Sequence, residues 1–220
     1  MYCCCGPNDE EIMLTEVPSS HVLDQESQVL IPGPLACGSF SVSLNLVESQ
    51  QLGLKVDNSD ERGSMILEIT EGIVANFNLL HPERAIRVYD RVLKVNGELT
   101  AISELHRIRV SSIGVKDSSS LELLLSRPQE LTVTLTKPGS LGLSMKYSAV
   151  STGIIIDAVL PDGLVSDWNR CHAEHIAPGD RIIAVDGMTL AGTSMLEEMK
   201  SRIGRNMELS ILHYNDAHAS

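Results

Sequence analysis

Hydrophobic and polar positions alternate in short runs along most of the chain. Phe40, Val42, Leu44 and Leu46 alternate with Ser41, Ser43 and Asn45, and Leu131, Val133 and Leu135 alternate with Thr132, Thr134 and Thr136. That period of two is the mark of a half-buried strand. Shorter apolar runs at Met65–Ile69, Val88–Val95, Ile154–Ile156, Arg181–Val185 and Met207–Ile211 read as further strands. Asn96-Gly97 is a hairpin signal. Helical spacing is rarer. Gly72–Leu80 and Gly163–Cys171 read as short helical segments. Leu121, Leu124 and Leu125 follow a serine run that can cap a helix, which predicts a helix over 118–127 ended by Pro128. Leu196, Met199 and Ile203 recur at i, i+3 and i+7, a second helix with one apolar stripe.

The pattern occurs twice. Leu52-Gly53-Leu54 recurs as Leu141-Gly142-Leu143, Phe77-Asn78-x-x-His81 as Trp168-Asn169-x-x-His172, and Asp90-Arg91 with its following apolar run as Asp180-Arg181, at offsets of 89, 91 and 90 residues. A repeat of that length is a duplicated domain rather than a solenoid unit. The expected organisation is a tail over 1–38, one copy over 39–137, a second over 130–214, and a polar end over 215–220. Leu131, Val133 and Leu135 align both with the strand that opens copy one and with the strand that closes copy two. Only nine residues separate Pro128 from Pro138. The expectation is one shared strand that closes the first copy and opens the second, with both cores meeting along it. On that expectation Val133→Asp destabilises both copies.

Charge and cysteines narrow the function classes. The net charge is −12, which argues against nucleic acid. Half of it lies in the first 38 residues, which carry six acids and no Lys or Arg. No apolar run is long enough to span a membrane. Five cysteines, three of them consecutive, do not make a disulfide framework and point to a reducing, cytoplasmic setting. Cys3, Cys4 and Cys5 leave two readings open. They could be S-acylated and hold the chain at the cytoplasmic face of a membrane, or the tail could be free and silent. Cys171, His172 and His175 supply three of the four ligands a structural zinc needs, with no fourth nearby. No cofactor motif, nucleophile elbow or metalloprotease signature is present. The repeated aromatic-Asn-x-x-His element reads as an aromatic under a loop and an Asn that caps a turn. The repeated Asp-Arg reads as a contact that holds a loop.

The ordered set of Leu-Gly-Leu loop, strand, short helix, Asp-Arg-Val/Ile hairpin, helix and closing strand, found twice, resembles the PDZ domain. The resemblance covers roughly 39–214. It implies a mainly β fold with short helices, two partly open β-barrels or sandwiches in tandem. It also implies peptide binding by addition of an extended C-terminal or internal segment to a strand edge, with the terminal carboxylate held by loop amides. On that pattern the first site comprises Leu52, Gly53, Leu54, Lys55 and Val56 with Ser118, Leu121 and Leu125 on the selecting helix. The second comprises Lys137, Leu141, Gly142, Leu143, Ser144 and Met145 with Met195, Leu196, Met199 and Ile203. Copy one departs from the pattern. Tyr89 stands where copy two has Gly179, no basic residue precedes Leu52, and 20 positions separate Gly97 from Asp117 against 8 between Gly187 and Met195. A turn that needs φ > 0 is then strained or rebuilt at Tyr89. The expected role is a non-enzymatic scaffold for protein peptides; the alternative is a regulatory fragment of a larger enzyme such as a protease.

Overall fold

The computed structural model describes residues 38–46, 50–98, 120–136, 139–202 and 205–215. Copy one runs β1 (Gly38–Asn45), β2 (Leu54–Asp57), β3 (Ser64–Ile69), α1 (Ile73–Leu80), β4 (Arg91–Val95) and β5 (Ser120–Arg127). Copy two runs β6 (Gln129–Leu135), β7 (Leu143–Lys146), β8 (Ile154–Val159), α2 (Leu164–Cys171), β9 (Arg181–Val185), α3 (Gly192–Ser201) and β10 (Met207–His213). Each copy forms one antiparallel five-stranded sheet, ordered β1-β5-β4-β3-β2 and β6-β10-β9-β8-β7. The expected alternation holds where it was clearest: Val42 and Leu44 face one core, and Leu131, Val133 and Leu135 face the other. The hairpin turns Asn96-Gly97 and Asp186-Gly187 take positive φ at both residues, the geometry that matches the twist of the flanking strands.

Two expectations fail here. The segment read as a helix over 118–127 is strand β5 from Ser120. It pairs with β1 from Gly38↔Arg127 to Asn45↔Ser120 and with β4 on its other side. Leu121, Leu123 and Leu125 are buried in the core of copy one, so Leu121 and Leu125 do not wall a groove. Four apolar positions among 121–125, interrupted only by Glu122, fit either period, and paired neighbours on both edges decide for the strand. The second failure is the shared strand. β5 closes copy one and β6 opens copy two as separate strands, with Pro128 alone between them. The two main cores are distinct, and Val133 belongs wholly to that of copy two.

The copies are joined instead by a buried interface inside one compact unit. Met65 of copy one packs with Ile183, Leu212 and Tyr214 of copy two. Arg181 crosses to Asp57 at 3.0 Å and to the Ser59 hydroxyl at 2.8 Å, and the Thr152 amide donates to Asp57 at 2.7 Å. Arg91 crosses the other way, donating to the Gly179 carbonyl at 3.1 Å while it pairs with Asp60 at 3.0 Å and lies 3.6 Å over the Tyr214 ring. Tyr89 keeps the left-handed turn, φ 72°, that Gly179 supplies in copy two. Its carbonyl accepts the Tyr214 hydroxyl at 2.8 Å. The strained residue is thus held by a contact from the other copy. Burial raises the carboxyl of Asp57. The Arg181 guanidinium, with hydrogen bonds from Ser59 and Thr152, outweighs that and holds it below its ordinary 3.8. Asp60 is also raised by burial and lowered below 3.8 by Arg91 and Arg62.

The repeated aromatic-Asn-x-x-His element is structural in both copies. Asn78 and Asn169 each bridge a backbone amide and carbonyl, those of Ile86 and Ile176, at 2.8–2.9 Å. His81 and His172 pack against Phe77 and Trp168, and His172 Nδ1 lies 2.8 Å from the Trp168 carbonyl. The repeated acids hold turns, Asp90 accepting from the Arg87 amide and Asp180 from the Ala177 amide, each at 2.8 Å. Asp90 accepts from Arg127, and Asp180 faces His213 Nδ1 at 3.0 Å.

Candidate peptide-binding cleft

β7 lies at the edge of its sheet, bonded to β8 on one side. Its side chains alternate. Leu143 and Met145 turn to the cleft. Ser144 and Lys146 turn away, and both reach Asp157, at 3.4 and 3.0 Å. Facing β7 is α3, which presents Leu196 and Met199. Between them is a largely apolar cavity of about 260 Å³, also lined by Leu135 and Met207 and by Leu164 at the start of α2. Leu135 and Met207 are register partners across β6 and β10. Lys200, Arg202 and Arg205 stand at the rim. Arg202 is engaged with Glu198 and Asp186.

One end of the cleft is the Ser140-Leu141-Gly142 loop. Its carbonyls are all taken from behind. Ser140 accepts from the Leu164 amide at 3.1 Å, Leu141 from Val165 at 3.1 Å, and Gly142 from Leu160 at 2.8 Å. The approach needs glycine on both sides. A Cβ on Gly142 would meet the Asp162 carbonyl at 2.5 Å, and one on Gly163 would meet the Gly142 Cα at 2.5 Å. The Gly142 amide is held by the Ser140 hydroxyl at 3.3 Å, a long bond. Copy one builds the same loop. The amides of Ile73, Val74 and Thr70 bond the carbonyls of Gln51, Leu52 and Gly53 at 2.9–3.1 Å, and β2 is likewise an edge strand.

Of the residues expected from sequence, Leu141, Gly142, Leu143, Met145, Leu196 and Met199 come together in this cleft. Ser144 faces the opposite side of β7. Met195 is fully buried in the core beneath α3 and does not line the cleft. Leu52, Gly53, Leu54 and Val56 form the corresponding loop and edge strand of copy one, whose Lys55 reaches Glu68 at 3.8 Å. Ser118, Lys137, Ile203 and Cys3, Cys4 and Cys5 lie outside the described residues. Sequence reasoning missed Leu135, Leu164, Met207, Lys200 and Arg205. Leu135 and Met207 were legible as strand positions, but only their register puts both at the end of one cleft. Among the described residues no three His, Cys, Asp or Glu side chains form a metal cluster, and no helix is long and apolar enough to cross a membrane.

No family model matches the chain. By sequence it is similar to the Multiple PDZ domain protein of rat, 23% identical over 208 residues, and of mouse, 26% identical over 207. Each match covers 80% of this chain and 9% of the relative, so the chain spans about a tenth of the length of the relatives it matches. Among solved structures it is similar to a PDZ domain from choanoflagellate GIPC, at 23% identity, 39% of this chain, 90% of that chain and a TM-score of 0.31. It is also similar to INAD PDZ45 in complex with NORPA CC-PBM, at 16% identity, 80% of this chain, 91% of that chain and a TM-score of 0.32. The twice-built sheet, edge strand and Leu-Gly-Leu loop, with the sequence likeness to the Multiple PDZ domain proteins, make this a chain of two PDZ-like folds in tandem.

Proposed function

We propose that the chain is a non-enzymatic interaction module and that copy two takes the C-terminal end of a partner protein by strand addition along β7. One observation carries this reading: an edge strand faces an apolar cleft whose end is a loop with every carbonyl bonded from behind. A loop so arranged offers its amides to an anion. A terminal carboxylate would displace the long Ser140 contact at the Gly142 amide, and Lys200 and Arg205 favour negative charge at the rim. The terminal side chain would enter the cavity over Leu135, Met199 and Met207. The residue two before the end would meet Leu196, which favours an apolar side chain there.

The test compares fluorescent hexapeptides that carry a free or an amidated C-terminus, binding to the full chain by anisotropy. A preference of about tenfold or more for the free carboxylate is expected, equivalent to about 1.4 kcal/mol. Equal binding of the two forms would show that the loop at Leu141-Gly142-Leu143 does not hold a carboxylate.

A further inference from the structure

We propose that copy two reads only about the last three residues of its ligand, because its cleft is closed beyond Met145. This rests on the peptide-binding reading above and adds to it the length of peptide that fits. In strand addition a ligand continues along the edge strand for as long as the facing helix stands clear of it. Here the helix does not stand clear. The Gly192 amide, first in α3, donates to the Ser151 carbonyl at 3.0 Å, in the loop that follows β7. Next to it, Thr152 and Ala191 form an antiparallel bridge, and the Gly153 amide donates to Leu190 at 3.0 Å. The backbones come so close that a Cβ on Gly192 would lie 2.8 Å from Tyr147 Cβ and 2.8 Å from Ser151 Oγ. Gly192 is therefore the residue type the closure requires.

The loop that makes this contact is braced from within. The Ser148 amide donates to Ser151 Oγ at 2.9 Å and the Ser151 amide to Ser148 Oγ at 3.0 Å. Met195, one turn into α3, is 0% exposed and packs in the core of copy two, which anchors that end of the helix. What stays open is the stretch from the Leu-Gly-Leu loop to Met145. At roughly 3.4 Å per residue that is room for about three ligand residues. Upstream residues must leave the edge at Tyr147, which is half-exposed.

The experiment shortens the tightest free-carboxylate hexapeptide from a randomised C-terminal library one residue at a time from its N-terminus, with binding to the full chain measured by anisotropy. Each residue added to a growing strand would otherwise tighten binding by about threefold. The expected result is less than about threefold change in total between six residues and three, followed by a steep loss at two. In Tyr147→Gly, which removes a half-exposed side chain but leaves the backbone contacts of Gly192 with Ser151 and of Ala191 with Thr152, the plateau should remain. Continuous tightening from three to six residues in the wild-type chain would overturn the proposal. Regained affinity for the longer peptides in Tyr147→Gly would place the block in that side chain and overturn the backbone closure. If no library peptide binds at any length, the peptide-binding reading itself falls. That outcome is separate from binding that grows with length.

Discussion

Arg181 shows how one residue can serve two copies. Its neighbour Asp180 holds the turn before β9 within copy two, while its own guanidinium leaves that copy to pair with Asp57, 124 positions away. Both side chains are almost wholly buried, at 1% and 4% exposure. Removing one partner of such a pair strands the other charge out of water. Arg181→Met is therefore expected to cost about 3–5 kcal/mol, read as a shift in a urea unfolding midpoint at neutral pH. The double change Arg181→Met with Asp57→Leu should recover most of that cost, since no unpaired charge remains. If the single variant loses less than about 1 kcal/mol, the pair is not buried in solution as described.

At the scale of elements, β5 separates two readings of one leucine-rich run. A helix over 118–127 would set Leu121, Leu124 and Leu125 on one face. The strand sets Leu121, Leu123 and Leu125 inward, with Leu124 only half-buried. Leu123→Ala should then cost about 2–5 kcal/mol by leaving a cavity in the core of copy one. Leu124→Ala should cost clearly less, with both read from thermal or urea melts. The reverse order would restore the helix. The loop before β7 was legible in a way this run was not. Leu-Gly-Leu recurs in order with the strand and helix that follow it, and glycine in so short a loop lets backbone amides turn into one concavity. Its role as the end of a cleft, however, depends on α3, which begins at Gly192, four residues before the stripe's Leu196, and takes Met195 into the core.

At the scale of the whole molecule, the interface should make the copies unfold together. Trp168 is the only tryptophan of the chain and lies in copy two, so its fluorescence reports that copy alone. Leu123→Ala in copy one should lower the melting midpoint recorded at Trp168; an unchanged midpoint would mean the copies melt independently. Acid should weaken the same interface. Asp57 and Asp60 titrate below 3.8 when folded and nearer to it when unfolded. Their contribution is full above 3.8 and lost as pH falls through the lowered folded values. Burial raises Asp180 above 3.8, so protonating it as pH falls favours the folded state instead. Val133→Asp reads differently from the shared-strand expectation: it strikes the core of copy two, and copy one feels it only through the interface. By itself, the sequence determined the duplication, which needs only the chain compared with itself, and the period-two strands, the hairpin turns and the glycine loops, each set by residues within a few positions of one another. Only the tertiary structure decided that the leucine run is a strand, that two strands rather than one meet at Pro128, that Arg91 and Arg181 cross between copies, and that Gly192 closes the cleft. Each of these turns on which distant backbone or side chain arrives beside the residue, and the local pattern fits more than one such neighbour.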